Sequence, residues 1–342
     1  MQTGFVLRTV LAGALGVGFA AAAMAQDVTI RYSNWLPSGF WLKEEVIADW
    51  IKQVEEVTEG RVVVETTPKV VGSVQGQYDV IRDGLADLSW IVAGYTPGRF
   101  PMIEFGDLGL IGEKAGTLAP AMDRIYREDL AQYNVFEGVE PLSVLVISPL
   151  QMVLKGTVVN HVEDLKGLKL RSSSNTLTAA IEAVGAVPIL KPIAEVYEML
   201  ASGTIDGQIT NLNSVIGFGG LGLTDSQYYI PGGMSNAVIL WGLNKATWDK
   251  ISPADQDAIR KISGEVFAKN VGDEYDRQDA AALEKMKEAG YSTTVASDED
   301  MAKLREMLKP IETAWIERAK AAGLENAEET LAKYKKAATG GM

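Results

Sequence analysis

The segment Asp164-Leu-Lys-Gly-Leu-Lys-Leu-Arg171 organises the reading of the whole chain. An acidic residue caps a turn, a glycine lets the backbone reverse, and a short apolar strand ends on a single arginine. In open α/β folds ligands bind in the crevice beyond the carboxyl ends of the strands. An arginine there presents a planar fork that matches a carboxylate or sulfonate through two parallel charge-assisted hydrogen bonds. The competing reading is an edge arginine paired with an aspartate or glutamate, and the flanking segments weigh between the two.

Working outward, residues 28–32 read as a first strand, followed by the loop Ser33-Asn-Trp-Leu-Pro-Ser-Gly39. Apolar residues at Val46, Ile47, Trp50, Ile51, Val54 and Val57 recur at helical spacing over 43–59, and Gly60 stops that helix. Strand patterns over 61–67 and 88–93 flank a helical one over 78–85, which makes a β-α-β-α-β unit and a mostly parallel sheet under helices. The apolar run 142–154 is too long for one ordinary strand, so the chain is expected to cross between lobes within it. A second unit follows, with strands over 168–171, 187–190 and 206–210, helices over 176–184 and 193–202, and a further strand over 238–244. From Pro253 helix dominates, to about 289 and again over 298–322, and the tail from 337 is expected to fray. The fold class is therefore α/β and two-lobed, with mixed, mostly parallel sheets joined by crossing strands and a long helix. Lobe I is expected to hold 26–148 with 237–280, and lobe II 149–236 with 281–342.

The N-terminus reads as an export signal. Arg8 precedes a small-residue-rich apolar stretch over 10–23, and Ala23-Met-Ala25 fits a cleavage site, an uncleaved anchor being the alternative. The expected location is the periplasm. The formal charge is −13, and −14 once Arg8 is removed with the signal. Such an acidic chain repels nucleic acid and anionic lipid, so neither is an expected partner. Cysteine is absent, so stability rests on a packed core and not on disulfides.

Catalytic equipment is sparse. With His161 the one histidine, in a capping segment, and no G-x-S-x-G elbow, a serine hydrolase is not expected; zinc sites of Cys and His are excluded. Gly217-Phe-Gly-Gly-Leu-Gly222 matches G-x-G-x-x-G, but polar residues precede it, and no acidic residue closes a βαβ unit afterwards. It reads as a flexible glycine-rich loop. No cofactor or metal is expected. Loop aromatics after strands wall cleft ligands, which favours Trp35 and Tyr95 as pocket residues over plain core packing. Phe40 and Trp41 are open between pocket and core, whereas Trp50, Trp241, Trp248 and Trp315 read as core. Ser172, Ser173, Ser174 and Asn175 either donate to an acid group or cap the next helix, whose positive end faces an anion in both cases. Aromatic and neutral candidates suggest a monoacid with an apolar or hydroxylated body.

Four segments taken together resemble the extracytoplasmic solute receptors of tripartite ATP-independent periplasmic (TRAP) transporters. Val162-Glu-Asp-Leu-Lys-Gly-Leu-Lys-Leu-Arg171 is close to that family's D-L-K-G-[LM]-K-[IL]-R, and Thr204-Ile-Asp-Gly-Gln208 to its V-D-G-Q turn. Gly222-Leu-Thr-Asp225 with Tyr228 and Tyr229 is similar to G-L-x-D-V-x-K-Y, and Asn244 to Pro253 to N-x-x-x-W-x-x-L-x-P. The resemblance implies a small organic acid held between two closing lobes, Arg171 gripping its acid group, and delivery to membrane permease subunits driven by an ion gradient. It also marks departures. Many relatives carry a second arginine about 20 residues earlier, where this chain has Gln151, and D-G-Q-E-N is here Asp206-Gly-Gln-Ile-Thr-Asn211, which makes Asn211, beside Thr210, the candidate site amide. The expected ligand residues are Arg171, Asn211, Gln151, Trp35, Tyr95, Ser173 and Thr210, in a monomer. The alternatives are a receptor for an ATP-driven importer, an exported enzyme acting on acidic sugars, and a sensor's receptor.

Overall fold

The computed structural model describes residues 28–340, so the export signal over 1–25 lies outside the described residues. β1 (Val28–Tyr32) buries Val28, Ile30 and Tyr32 on one face and turns Arg31 outward, where its Nε meets Asp87 Oδ2 at 2.8 Å. This alternation is what a half-covered strand requires. A tight turn over Leu42–Ile47 winds into α1 (Ala48–Val57), whose Trp50 and Val54 are buried. Gly60, at φ 78°, closes that helix by donating to Glu55 O at 2.8 Å. Then come β2 (Val62–Thr66), α2 (Gln77–Arg82), β3 (Leu88–Val92), α3 (Ala115–Ile125) and β4 (Val139–Val146).

The long apolar run resolves into two strands in different sheets. β4 ends at Val146, and β5 (Gln151–Leu154) opens the second half. Asp164 Oδ2 accepts from Asn160 N and His161 N at 2.9 and 3.0 Å, fixing the turn that feeds β6 (Lys169–Ser172). His161 itself is at the surface, with two thirds of its side chain exposed. Next are α4 (Asn175–Ala183), β7 (Val187–Leu190), α5 (Val196–Ala201), β8 (Gly207–Thr210), α6 (Leu212–Gly217), β9 (Ser226–Tyr229) and β10 (Val238–Asn244). The chain ends with α7 (Lys245–Trp248), α8 (Pro253–Ile262), α9 (Gly264–Glu288), β11 (Ser292–Val295), α10 (Asp298–Ala321) and α11 (Ala327–Ala338).

The first sheet has the order β2-β1-β3-β10-β4 and the second β11-β9-β5-β8-β6-β7. β1 pairs parallel with β2 and β3, and β6 parallel with β7 and β8, whereas β10 and β5 run antiparallel to their neighbours. Each sheet therefore takes an antiparallel strand from chain that has just left the other. The two crossings pair with each other, Leu150 N donating to Ser235 O at 2.9 Å and Met234 N to Leu150 O at 3.0 Å. α9 is the third connection. Its Phe267 stacks on Trp241 of the first half at 5.9 Å, and its Ala282 and Met286 pack with Leu212, Val215 and Val153 of the second. α10 spans both halves, and α11 returns onto α3.

Trp50, Trp241, Trp248 and Trp315 are all core, the first two edge to face at 5.3 Å. Two expectations fail. The glycine-rich segment expected as a loop begins inside a helix, α6, which ends at Gly217. The tail holds its helix through Ala338, which is 4% exposed, instead of fraying from 337.

Candidate functional site

Arg171 leaves the carboxyl end of β6 and is 2% exposed. Its Nε donates to Lys191 O at 2.7 Å and its Nη2 to Tyr95 Oη at 3.1 Å. Among the described residues no carboxylate pairs with it, and its Nη1 makes no hydrogen bond. Burial pulls its pKa below the ordinary arginine value, with the Tyr95 hydroxyl opposing, yet a guanidinium stays charged. Other arginines behave differently, since half-buried Arg61 meets Asp255 and exposed Arg127 meets Asp123. A buried cation without a counter-ion is costly by several kcal/mol, so its persistence points to an anion supplied from outside.

The groups around Arg171 fit that purpose. Tyr95 Oη accepts from Arg171 and also from Ile193 N at 3.0 Å, which leaves its own proton free to donate. Asn211 Oδ1 accepts from Ser214 Oγ at 2.8 Å and from Thr210 Oγ1 at 3.4 Å, so the amide is turned with Nδ2 as the free donor. That Nδ2 and Ser173 Oγ are buried without a partner among the described residues. Buried donors of this kind are uncommon in native proteins and call for an explanation.

These groups line one cavity between the two halves of the fold. The first half contributes Trp35, Trp90, Tyr95 and Ile239, the second Arg171, Ser173, Asn211 and Phe218, and Tyr275 reaches in from α9. Trp35 Nε1 is tied to Trp90 O at 2.7 Å, so the indole presents apolar surface. Phe218 packs on Trp35 and Phe40 with ring centres 6.3 and 5.4 Å away. Arg171 is the single charged residue on the lining.

The walls are in close contact across the cleft. Gly94 touches the Ser173–Ser174 backbone so closely that a Cβ would stand 2.6 Å from Ser173 O. The two halves of the fold therefore meet across the cleft. Over residues 33–318 the sequence also matches the family of bacterial extracellular solute-binding proteins, family 7. The chain belongs to that family.

Solved TRAP solute-binding proteins share the architecture. A TRAP periplasmic solute-binding protein from Bordetella bronchiseptica, with bound (R)- and (S)-mandelate, is 29% identical with a TM-score of 0.87, covering 91% of this chain and 98% of that one. A marine metagenome TRAP protein specific for aromatic acid ligands, in complex with metahydroxyphenylacetate, is 25% identical with a TM-score of 0.84 and the same coverage. The outer membrane transporter protein TsaT of Comamonas testosteroni is 25% identical over 329 residues, 96% of this chain and 97% of its own. This chain is a TRAP solute-binding receptor. No helix among its described residues is long and apolar enough to cross a membrane.

Of the residues the sequence singles out, the structure brings Trp35, Tyr95, Arg171, Ser173, Thr210 and Asn211 to this one cavity. It does not bring Gln151. That amide accepts from Ile230 N at 2.8 Å and donates to Ile230 O at 3.1 Å, so both ends are spent on pinning the end of β9. Its expected place as a neutral substitute for a second arginine is therefore corrected to a structural one. Trp90, Phe218, Ser214 and Tyr275 were not anticipated. Phe218 had one legible sign, as the lone aromatic in a glycine-rich stretch, whereas Tyr275 continues the helical core pattern of Phe267, Ala268 and Val271 and carries no sign at all.

Proposed function

We propose that this receptor binds a small organic monoacid with an aromatic body and releases it to the membrane permease of an ion-gradient-driven TRAP transporter. One observation carries the reading, the buried Arg171 without an acidic partner, set against walls that carry no other charge and are largely aromatic and aliphatic. One carboxylate oxygen pair would meet the Arg171 fork, with Ser173, Asn211 and Tyr95 as further donors. A second carboxylate would be buried with no cation on the lining, at several kcal/mol. The aromatic acids named with the Bordetella and metagenome relatives agree with this preference. The protein acts in the periplasm as a monomer after removal of residues 1–25. It turns over no substrate, since the groups at Arg171 hold an anion but include no base–nucleophile pair. We assign 28–148 with 237–263, and 149–236 with 289–297, to the two moving lobes, with α9 and α10 spanning them and α11 packed on α3 of the first, a revision of the bounds at 280 and 342 expected from the sequence.

Calorimetric titration of the mature protein with benzoate, mandelate and 3-hydroxyphenylacetate, against succinate and a sialic acid, tests the proposal. Binding of the aromatic monoacids alone is the expected result. Preference for succinate, or full affinity after Arg171→Ala, overturns it.

A further inference from the structure

α6 faces two ways. Leu212 and Val215 bury into the cluster formed with Val153, Ala282 and Met286, so the helix rides with the second sheet and the C-terminal half of α9. Its other side meets the first lobe. Trp41 Nε1 donates to Asn213 Oδ1 at 3.2 Å in a contact 172 residues apart in sequence, and both residues are buried. The Phe40 ring lies on Gly217, where a Cβ would stand 2.4 Å from two ring carbons. We infer that α6 is the closing jaw of the receptor and that Asn213, which touches no part of the cavity, is the positioning residue that latches it to Trp41. The inference rests on the proposed function for its purpose and on these contacts for its geometry.

Asn213 is prepared for this by Asp279 on α9. Its backbone N and its Nδ2 both donate to Asp279 Oδ1, at 2.7 and 2.6 Å. The two donated hydrogens fix the amide so that Oδ1 is the end left for the opposite lobe. Asp279 lies in the C-terminal half of α9, where Ala282 and Met286 pack on Leu212 and Val215, so the pair stays together with α6 when the lobes part. Trp41 then exchanges its bond for water, and the Trp41–Asn213 contact counts only in the shut form. A contact of that kind acts on the rate of release and leaves the rate of capture unchanged. The latch also touches the ligand wall, because the Trp41 ring stands edge on to Tyr275 at 4.8 Å and Phe40 lines the cavity. Asn211 begins the turn into α6, so a ligand held by Asn211 draws the jaw into register with Trp41.

The test uses Trp41→Phe, which removes the N–H and keeps a ring, and Asn213→Ala. Because the chain has no cysteine, spin labels can be placed singly on exposed Lys52 of α1 and Glu182 of α4 through introduced cysteines. Lobe–lobe distances are then measured in ligand-free and mandelate-saturated protein, with stopped-flow release of mandelate alongside. Both variants are expected to shift the mandelate-saturated distances outward and to thin the minor shut population of the ligand-free protein. Release should quicken roughly three- to tenfold, the factor one neutral hydrogen bond gives, with ligand-free melting unchanged for Trp41→Phe. Wild-type distances and release rates in Trp41→Phe overturn the jaw. A wild type that ignores mandelate and benzoate counts against the ligand class alone, and the ligand-free distances then still decide the jaw.

Discussion

Gly94→Ala asks whether the two lobes must touch for the ligand to be held. Gly94 lies in the one-turn segment Ala93–Tyr95, and its φ is outside the left-handed region, so alanine fits its backbone. The three atoms nearest the new methyl all lie across the cleft. Across the cleft it would stand 2.6 Å from Ser173 O and Ser174 Cβ and 3.2 Å from Ser174 Cα. Contact at about 3.5 Å requires the lobes to withdraw by about 1 Å. The neighbouring Tyr95–Arg171 bond, now 3.1 Å, would then stretch to about 4 Å and cease to be a hydrogen bond. Losing one bond to a charged group is worth about 1.5–3 kcal/mol, so affinity should fall by about 10- to 150-fold. Calorimetry with mandelate reads the affinity, and calorimetric melting reads the ligand-free fold, which should be unchanged or slightly raised. Wild-type affinity in Gly94→Ala would refute the reasoning. So would an equal loss of ligand-free stability, which would mean the contact persists without ligand.

Arg171→Ala should lose about 2–5 kcal/mol of binding with the fold intact, and Arg171→Lys most of that, because a point charge cannot reproduce the fork; titration of both against mandelate checks this. Gln151→Ala should leave affinity near wild type but lower stability by about 1–3 kcal/mol, since Ile230 N and O would be stranded in the interior; urea melts with and without ligand separate the two. Asp107 is fully enclosed, and burial lifts its pKa to about 7, against the bond from Val238 N. A raised acid pKa means the folded state holds the extra proton, so stability falls as pH rises from about 4 to 7. Asp107→Asn should therefore gain on the wild type at pH 8, by about 4 kcal/mol at most, and lose that gain near pH 4. A variant no better at pH 8 than at pH 4 would contradict the assignment.

The strands that alternate, as β1 does, or run almost wholly apolar, as β3 and β10 do, were legible in the sequence, as was the short β6, and Gly60 marked its helix end. Those that failed to show depend on partners far along the chain. α6 is built from Leu-Asn-Ser-Val-Ile-Gly, a poor helix by propensity, and exists because Leu212 and Val215 find α9 while Asp279 caps Asn213 N. β9 and β11 are polar segments paired to each other in parallel, with no alternation to betray them. The helix expected as continuous from Pro253 breaks at Ser263, whose extended backbone separates α8 from α9. The site followed the same rule. Arg171 announced itself because a charge ends an apolar strand, whereas Gln151 was misplaced because counting residues back from Arg171 cannot show that its amide spans the Ile230 backbone.

The missing counter-ion of Arg171 has a consequence for traffic. A clamp that shut while empty would seal a bare guanidinium away from water, and the anion is what cancels that penalty. Idle closure is thereby discouraged by the same charge that recognises the cargo. On the proposed function, a permease could then tell a loaded receptor from an empty one by its outline alone, without touching the ligand.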